Sequence, residues 1–586
     1  MRVLLLFPAL LAFGVNGLNL DYVQNATQLL SRNNKGLFFD PHNHTSGVLS
    51  PIAVVNPKKF ILGNEPSQEE LKNFWFKFLD FYNEITCNEA TQKCKANKLK
   101  SGPLLSNGTK QLLNCDEPGL YCDRSADLQK HPNQQCSDTL VRNIYNILSA
   151  TPLTSFGGAY AVRRVLPDIP DLPGLFGART QQRAVILALA MAGTGLVEMS
   201  HNFISEEKTT VFEDFQHILN DLKSPDTSQY NKDLKKRFVE LGLKIPEIKW
   251  LLATDTKALG KISDTARISY VSGRCSIIKE ESDTQEKDEQ NDPLVGIYNT
   301  LVKFNNLVGV DVAGPEYTCF VDAGMNEFKK LASTAYRAAV ERRKNNKDIG
   351  KLIVRVHVGE GAPLEDAQPI ITLKAEERKK SCEAIKQFPV IKSFYDRKKN
   401  IFIHRYEAQK NIDYVIQAIT ELKEQNTDID NHIIFRLGHL THVTDSQAKL
   451  MKSLGISADV NLSSNISSQA WPVKPALIEK YLVKKGIEPI NVKSLLVALK
   501  TNGATYEEIF DGHGIKNLLA NKVPTTLGTD GGGVEHAPSL RREYLIADDL
   551  INSWNKNDAE FKKQGISIDF IFNSQQEHFK QMGYEN

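Results

Sequence analysis

Two histidines close to the N-terminus have the residue type and spacing of metal ligands. His42 and His44 stand two residues apart after the apolar run at 36–40. On a β-strand this spacing places both imidazoles on the same face. Inside an apolar interior their ring nitrogens would lack partners, and a divalent metal would supply one. Paired histidines also occur as ordinary polar residues, so this pair alone is a weak signal.

Three later segments each place polar side chains at or just after the end of an apolar run. His357 and Glu360 belong to the sequence VRVHVGE, His439 to RLGHLTH and Asp530 to LGTDGGG. Three histidines and one aspartate with an open position form a ligand set that zinc accepts, and the cation would activate a water near neutral pH. Glu360 suits a general acid, because an apolar pocket raises the pKa of a carboxyl group. Taken singly, His439 also fits a core histidine, and Asp530 a turn residue before the glycines.

The chain around these segments alternates short apolar runs with stretches long enough for a helix. Eight runs are predicted to be strands, at 36–40, 196–202, 267–271, 307–312, 352–358, 432–437, 458–462 and 525–528. Continuous apolar strands with crossover helices favour a parallel sheet covered on both faces, and eight such units favour closure into a barrel. The sequence therefore predicts an α/β fold, a (β/α)8 barrel of the TIM type, over residues 36–586. Polar strand ends would meet at the carboxyl-terminal face, where such barrels build their sites.

The N-terminal residues have the pattern of a secretory signal peptide. Arg2 precedes an apolar run, and small residues permit cleavage after Gly17. Residues 1–17 are therefore predicted to be a signal peptide, and residues 18–35 a polar N-terminal arm. The apolar run also fits an N-terminal anchor or a buried strand. Secretion would make the chain extracellular and would permit disulfide bonds.

A cysteine-rich segment follows the first predicted strand. Residues 86–137 hold five of the eight cysteines, namely Cys87, Cys94, Cys115, Cys122 and Cys136. We expect an insertion within the barrel that is stapled by disulfides, with one cysteine of this odd set free or paired elsewhere. A zinc knuckle is disfavoured, because no two cysteines are spaced as CxxC.

The composition restricts the expected partners. The 586 residues include 72 basic and 70 acidic side chains, which give a net charge of +2. This balance argues against a nucleic-acid-binding or anionic-membrane surface, which would need clustered positive charge. The apolar stretch 184–197 is too short to span a membrane and is predicted to be a buried helix running into a strand. A small-molecule partner is expected, and the oligomeric state is left open, with a dimer among the options.

Six motifs in their order along the chain resemble the adenosine deaminase family of the amidohydrolase superfamily. They are HNH at 42–44, DVAGPE at 311–316, HVGE at 357–360, RLGHLTH at 436–442, NLSSN at 461–465 and GTD at 528–530. The resemblance extends from about residue 38 to about residue 544, with insertions. A secreted subgroup of this family, the adenosine deaminase-related growth factors, is similar in having a signal peptide and an insertion after the first strand.

The resemblance implies one Zn²⁺ per chain and a hydrolytic deamination. The implied zinc ligands are His42, His44, His357 and Asp530, with Asp530 also counted as catalytic and His44 as lining the substrate site. Glu360 would protonate N1 of the purine ring, and His439 would position and help to deprotonate the attacking water. The backbone at Gly314 would contact the purine. The implied reaction converts adenosine or 2′-deoxyadenosine to inosine or 2′-deoxyinosine and releases ammonia.

Two positions depart from the family pattern at the substrate site. Gly531 stands where a second aspartate contacts purine N7, and Ser46 stands where an acidic residue often contacts the ribose. The loss of one buried hydrogen bond to a substrate costs about 0.5–3 kcal/mol. Two alternatives therefore stay open. One is an enzyme of the same superfamily acting on another aminopurine or a cyclic amine or amide. The other is a non-catalytic extracellular binding or signalling protein, suggested by the insertion.

Overall fold

The structure is a computed structural model, and it describes part of the chain. The described residues are 38–71, 73–74, 144–145, 148–149, 163, 178–202, 210–255, 267–271, 274–278, 293–313, 324–346, 349–360, 398–468, 470–471, 473–487, 494–533 and 540–584. The predicted signal peptide 1–17, the arm 18–35, the cysteine-rich insertion 86–137 and Gly314 lie outside these residues. Their predictions therefore stay predictions.

Eight parallel strands form one sheet that is nearly closed into a barrel, as the sequence predicts. In sheet order they are β1 (Phe38–His44), β2 (Thr194–Asn202), β3 (Glu247–Asp255), β6 (Leu307–Ala313), β7 (Leu352–Val358), β8 (Ile433–His439), β9 (Ser457–Val460) and β10 (Thr525–Leu527). Every neighbouring pair is parallel. Hydrogen bonds tie the end of β10 to β1: among them, the Asp530 N–H donates to the carbonyl of His42 at 2.7 Å, and the Thr529 hydroxyl to Asp40 at 2.6 Å.

The prediction of the third barrel strand is wrong. Residues 267–271 form β4, which pairs antiparallel with β5 (Arg274–Ile278) in a separate two-stranded ribbon. The third barrel strand is Glu247–Asp255, which lies between β2 and β6. Charged residues at its start, Glu247 and Lys249, interrupt the continuous apolar pattern by which the other strands are recognised. A run with β-strand composition can pair in a local hairpin as readily as in a barrel, so composition alone could not separate the two segments.

Helices lie between the strands and cover the barrel. They are α1 (Pro51–Val55), α2 (Pro57–Leu62), α3 (Ala178–Met191), α4 (Thr210–Lys223), α5 (Lys232–Leu241), α6 (Pro293–Lys303), α7 (Gly324–Asn345), α8 (Lys398–Gln425), α9 (Ile429–His432), α10 (Asp445–Ser453), α11 (Leu462–Ser467), α12 (Pro475–Tyr481), α13 (Leu495–Thr501), α14 (Tyr506–Ile509), α15 (Ile515–Ala520), α16 (Leu540–Asn557), α17 (Ala559–Lys563) and α18 (Ile568–Met582). Short 3-10 helices occupy Thr45–Gly47 and Val483–Lys485. The predicted passage from a buried helix into a strand at 184–197 is confirmed by α3 and β2. Among the described residues, no helix has the length and apolar character to cross a membrane.

Local sequence signals explain why these elements form where they do. Strand β7 (LIVRVHV) is rich in β-branched residues and buried along its whole length, as expected of a strand covered on both faces. Helix α10 begins after β8 at a capping box, in which the side chains of Thr444 and Gln447 each bond the other's backbone N–H. The apolar cluster at the amino-terminal ends of the strands includes Phe39 and Ile353, and Met582 and Tyr584 of the C-terminal segment close it.

Candidate metal centre and active site

The structure brings the predicted ligands together at the carboxyl-terminal ends of the strands. Nε2 of His44 lies 3.2 Å from Oδ1 of Asp530, and Nε2 of His42 lies 3.6 Å from the same oxygen. The rings of His42 and His357 have centroids 4.4 Å apart, and the ring of His439 stands 4.8 Å from that of His357. Residues from β1, β7, β8 and the end of β10 thus share one small region, although Asp530 lies 488 positions after His42 in the chain.

The ring of His42 leaves one buried nitrogen available for a metal. When the Asn461 amide is oriented so that its nitrogen donates to the carbonyls of Gly528 and Val460, its oxygen accepts from Nδ1–H of His42 at 3.1 Å. The neutral ring then carries a lone pair on Nε2. Among the described residues, this fully buried atom has no hydrogen-bond partner. A cation at this position would satisfy it, which is the fit expected of a metal ligand.

Several donor sets at this place could hold a metal ion. Three overlapping trios have ligand atoms within 4.8 Å of one another: His42, His357 and His439; His42, His44 and Asp530; and His44, Asp311 and His357. Together the trios contain all four ligands that the family resemblance implies. Asp311 was not singled out in the sequence, although it lies in the DVAGPE motif. Its Oδ2 lies 3.5 Å from Nε2 of His357.

The protonation states at the cluster suit metal binding. Burial, followed by the charge of Arg355, holds the pKa of His42 well below its usual value. Burial also lowers the pKa of His357 to about 4, although Asp311 opposes the shift. Burial raises the pKa of Asp530, but the His44 hydrogen bond and nearby histidine charges outweigh it and lower the value to about 2. A neutral imidazole at His42 and at His357, beside an ionised Asp530, is the form in which each group binds a metal.

Glu360 lies at the mouth of the barrel, next to the cluster. Its Oε2 is 3.5 Å from Nε2 of His439. Burial raises its pKa, and the charge of His439 opposes that shift. Gly359, just before it, has a φ of 77°, and a Cβ there would lie 2.7 Å from Cδ1 of Ile412. A glycine is therefore required for the turn that places Glu360 over the site. A carboxyl group with a raised pKa can act as a general acid.

Backbone strain is concentrated at the same strand ends. Of the described non-glycine residues, four have positive φ: His439 at 64°, Leu440 at 47°, Asp530 at 58° and Lys522 at 55°. Two of the four are site residues, and Leu440 directly follows His439. Left-handed conformations are costly for side chains that branch or are bulky, and they persist where surrounding contacts enforce them, as at functional sites. The strain marks this rim independently of residue type.

Helix α11 supplies residues whose roles the sequence did not reveal. The Ser464 hydroxyl donates to Oδ2 of Asp530 at 2.5 Å. The amide of Asn465 lies between His439 Nδ1, at 2.9 Å, and His513 Nε2, at 3.0 Å. Both α11 residues belong to the NLSSN motif, so the motif was recognised but the function of its members was not. His513 has no motif around it, and only the tertiary structure places it here.

The two departures from the family pattern lie on adjacent segments. Gly531 is buried, with a φ of 133°, and Ser46 lies in the 3-10 helix Thr45–Gly47 that follows His44. The Gly533 N–H donates to the carbonyl of Gly47 at 2.8 Å, which joins the two segments. The positions that lack an acidic side chain therefore form one continuous part of the rim. Gly314, the predicted backbone contact to the purine, lies outside the described residues.

Comparisons with known proteins add the following similarities. The chain matches no protein-family model. It matches no curated protein. It is similar to the solved structure of an N6-mAMP deaminase of Arabidopsis, with 15% identity, a TM-score of 0.34, and coverage of 76% of this chain and 84% of that chain. It is similar to Arabidopsis ADAL complexed with IMP, with 14% identity, a TM-score of 0.33, and coverage of 75% and 87%.

A third similar structure is the adenine deaminase from Arthrobacter aurescens. Its identity is 10% and its TM-score 0.32, with coverage of 92% of this chain and 98% of that chain. Values of this size do not establish a family for this chain. Its chemistry is therefore inferred from its own residues: a buried cluster of histidines and an aspartate that could hold a metal ion, with an acid beside it, at one rim of a barrel of parallel strands.

Proposed function

We propose that this protein is a zinc-dependent aminohydrolase that converts adenosine and 2′-deoxyadenosine to inosine and 2′-deoxyinosine with release of ammonia. The observation that supports it most is the meeting of His42, His44, His357 and Asp530 with the partly buried acid Glu360 on one rim. The unpartnered Nε2 of His42 supports a metal at this place. The motif resemblance to adenosine deaminases supports the choice of reaction.

The residues divide the proposed chemistry between them. Zinc bound by the three histidines and Asp530 would act as a Lewis acid toward a water molecule. Glu360, whose pKa is raised by burial, donates a proton to ring N1 and makes C6 electrophilic. His439 orients the attacking water, and the hydrogen bond between its ring and Asn465 holds it in place. As water adds to C6, His439 accepts one of its protons and passes it to the exocyclic nitrogen. The bond between C6 and that nitrogen then breaks and ammonia leaves, while the proton of the C6 hydroxyl returns to Glu360 as the carbonyl forms.

A second candidate is hydrolysis of another aminopurine or of a cyclic amine or amide. The joined segments at Ser46 and Gly531 support it, because they lack the acidic groups that would contact ribose and purine N7. A third, a non-catalytic extracellular binder, is motivated by the segment 86–137. Extracellular location is part of the proposal and is supported by the signal-peptide pattern at 1–17.

The deciding experiment follows the ultraviolet absorbance of adenosine with purified zinc-loaded protein. We expect turnover in the wild type and a loss of about 10²–10⁴-fold in E360Q, because the amide cannot donate the acidic proton. E421Q is the control, since Glu421 lies on α8 and pairs with Lys329. Turnover of another aminopurine, with none of adenosine, would select the second candidate. A zinc-loaded protein that turns over neither would exclude the enzyme.

A further inference from the structure

A layer of buried charges lies one step from the candidate metal centre, toward the amino-terminal ends of the strands. Arg355 of β7 and Arg436 of β8 are paired in register there. The carboxylates of Asp311, Glu198 and Asp459 surround them, and all five side chains are buried. Buried charges carry a large desolvation cost that apolar residues of similar volume would avoid. The layer therefore calls for an explanation beyond filling the barrel.

Both arginines donate to the same backbone acceptor. Nη1 of Arg355 lies 2.6 Å, and Nη2 of Arg436 3.1 Å, from the carbonyl oxygen of Pro41. Pro41 directly precedes His42, the most deeply buried of the predicted metal ligands. Two cationic donors on one carbonyl give stronger hydrogen bonds than a neutral sheet partner would.

Pro41 lies in a bulge of β1. Asp40 pairs with Val197, and Asn43 pairs with Met199, so β1 contains one residue more than β2 over this interval. A bulge frees backbone groups from the ladder and turns the side chain that follows, and proline is tolerated there because it has no N–H to place. The freed carbonyl is the group that the arginines hold.

Each arginine is itself fixed in orientation. Arg355 donates to both carboxylate oxygens of Asp311, through Nε at 3.0 Å and Nη2 at 2.7 Å, which leaves Nη1 for Pro41. The Ser200 hydroxyl donates to Asp311 at 2.6 Å and accepts from Arg355. Arg436 also donates to Glu198, whose other oxygen accepts from the Tyr584 hydroxyl at 2.6 Å. A fork fixed in this way directs its remaining N–H to one point.

We propose that Arg355 and Arg436 are positioning residues that fix the direction of His42 by holding the Pro41 carbonyl. The Asp530 N–H donates to the His42 carbonyl at 2.7 Å. This bond links the fixed segment of β1 to Asp530, the predicted ligand that follows β10. The inference rests on the proposed function only for the metal; the bulge itself can be measured in metal-free protein.

The test is hydrogen exchange, followed by mass spectrometry, on the metal-free full chain. In R355K the lysine keeps the charge but cannot bond both Asp311 oxygens and Pro41 together. We expect exchange to rise about tenfold or more in peptides covering 38–44 and 528–533, and to change little elsewhere. R342K is the matched control, because Arg342 is buried and donates to the backbone carbonyls of Leu307 and Asn305 at 2.6 and 3.1 Å.

A second readout is zinc affinity by chelator competition. We expect R355K to weaken it about 10–100-fold and R342K to leave it unchanged, as for residues that orient ligands. If R355K does not fold, S200A replaces it, because Ser200 bonds both Asp311 and Arg355. We expect the same changes in exchange and in zinc affinity, but smaller ones. Exchange at 38–44 that stays at the wild-type level, or rises evenly in all strands, overturns the inference. A wild type that binds no zinc contradicts the proposed function instead, and the exchange result still decides this inference.

Discussion

The side-chain amide of Asn465 lies 2.9 Å from Nδ1 of His439. Both residues are fully buried, and the same amide contacts His513, whose Nδ1 accepts from the N–H of Ile515 at 3.1 Å. Ile515 begins α15, so the chain of contacts ends on a backbone donor that the helix itself leaves unpaired. Asn465 and His513 therefore support the His439 ring on its Nδ1 side, and neither of them is a candidate metal ligand.

Removal of this support should slow the reaction without removing the metal. We expect N465A to lower kcat by about 10–100-fold, because the His439 ring loses the partner that orients it. The zinc content should stay at the wild-type level. Steady-state kinetics and metal analysis on the same sample provide the check. N231A is the control, since Asn231 is also buried but bonds Asp221 of α4, which is not one of the site residues. Equal kcat in N465A and wild type would contradict the assignment.

The charge of Asp530 should determine metal retention. We expect D530N, which keeps the shape of the side chain but not its charge, to lose most of the bound zinc during dialysis. The lowered pKa of Asp530 and its contact with His44 both indicate that this carboxylate is ionised. The control is D445N, because Asp445 begins α10 and pairs with Lys449. Metal per chain is measured by atomic absorption. Full zinc retention by D530N would remove Asp530 from the ligand set.

Gly438 should be required because of the space beside His42. A Cβ at Gly438 would lie 2.9 Å from Cε1 and 3.3 Å from Nδ1 of that ring. We expect G438A to displace the ring and weaken zinc binding about tenfold or more, while the protein stays folded. G296A is the control, because a Cβ there meets nothing within 4 Å. Chelator competition measures both variants. Equal zinc affinity in G438A and G296A would contradict this prediction, because it would show that the His42 ring can shift without loss of zinc binding.

Glu543 should make stability depend on pH. Burial raises its pKa to about 7, against hydrogen bonds from Ser463 that lower it. A raised folded pKa favours the protonated form, so the contribution is present below the unfolded value, near 4.5, and is lost as pH rises through about 7. Relative to E543Q, the wild type should lose up to about 3 kcal/mol of unfolding free energy over that interval.

Urea denaturation of metal-free protein measures this difference at about pH 4 and about pH 8, on either side of the window. Chelation removes the separate pH dependence of metal binding. All other titrating groups affect the wild type and E543Q alike. The change with pH in the difference between their unfolding free energies therefore isolates the contribution of Glu543. A separation that is the same at the two pH values would contradict a buried, protonated carboxyl.

The sequence by itself determined the strand ends that carry His42, His44, His357 and His439, because apolar runs and the alternation of side chains are local properties. It also indicated Glu360 and Asp530, since polar residues after buried strands of a barrel collect on one face. In the tertiary structure these side chains lie close together.

The tertiary structure alone decided which segment is the third strand. Residues 247–255 and 267–271 both have strand composition, and the partner available to each places one in the barrel and the other in a hairpin. It alone also decided that Arg355 and Arg436 share the carbonyl of Pro41, more than 300 residues away in sequence. Hydrogen bonds between distant residues leave no periodicity in the chain. Only closure of the barrel brings their atoms within reach.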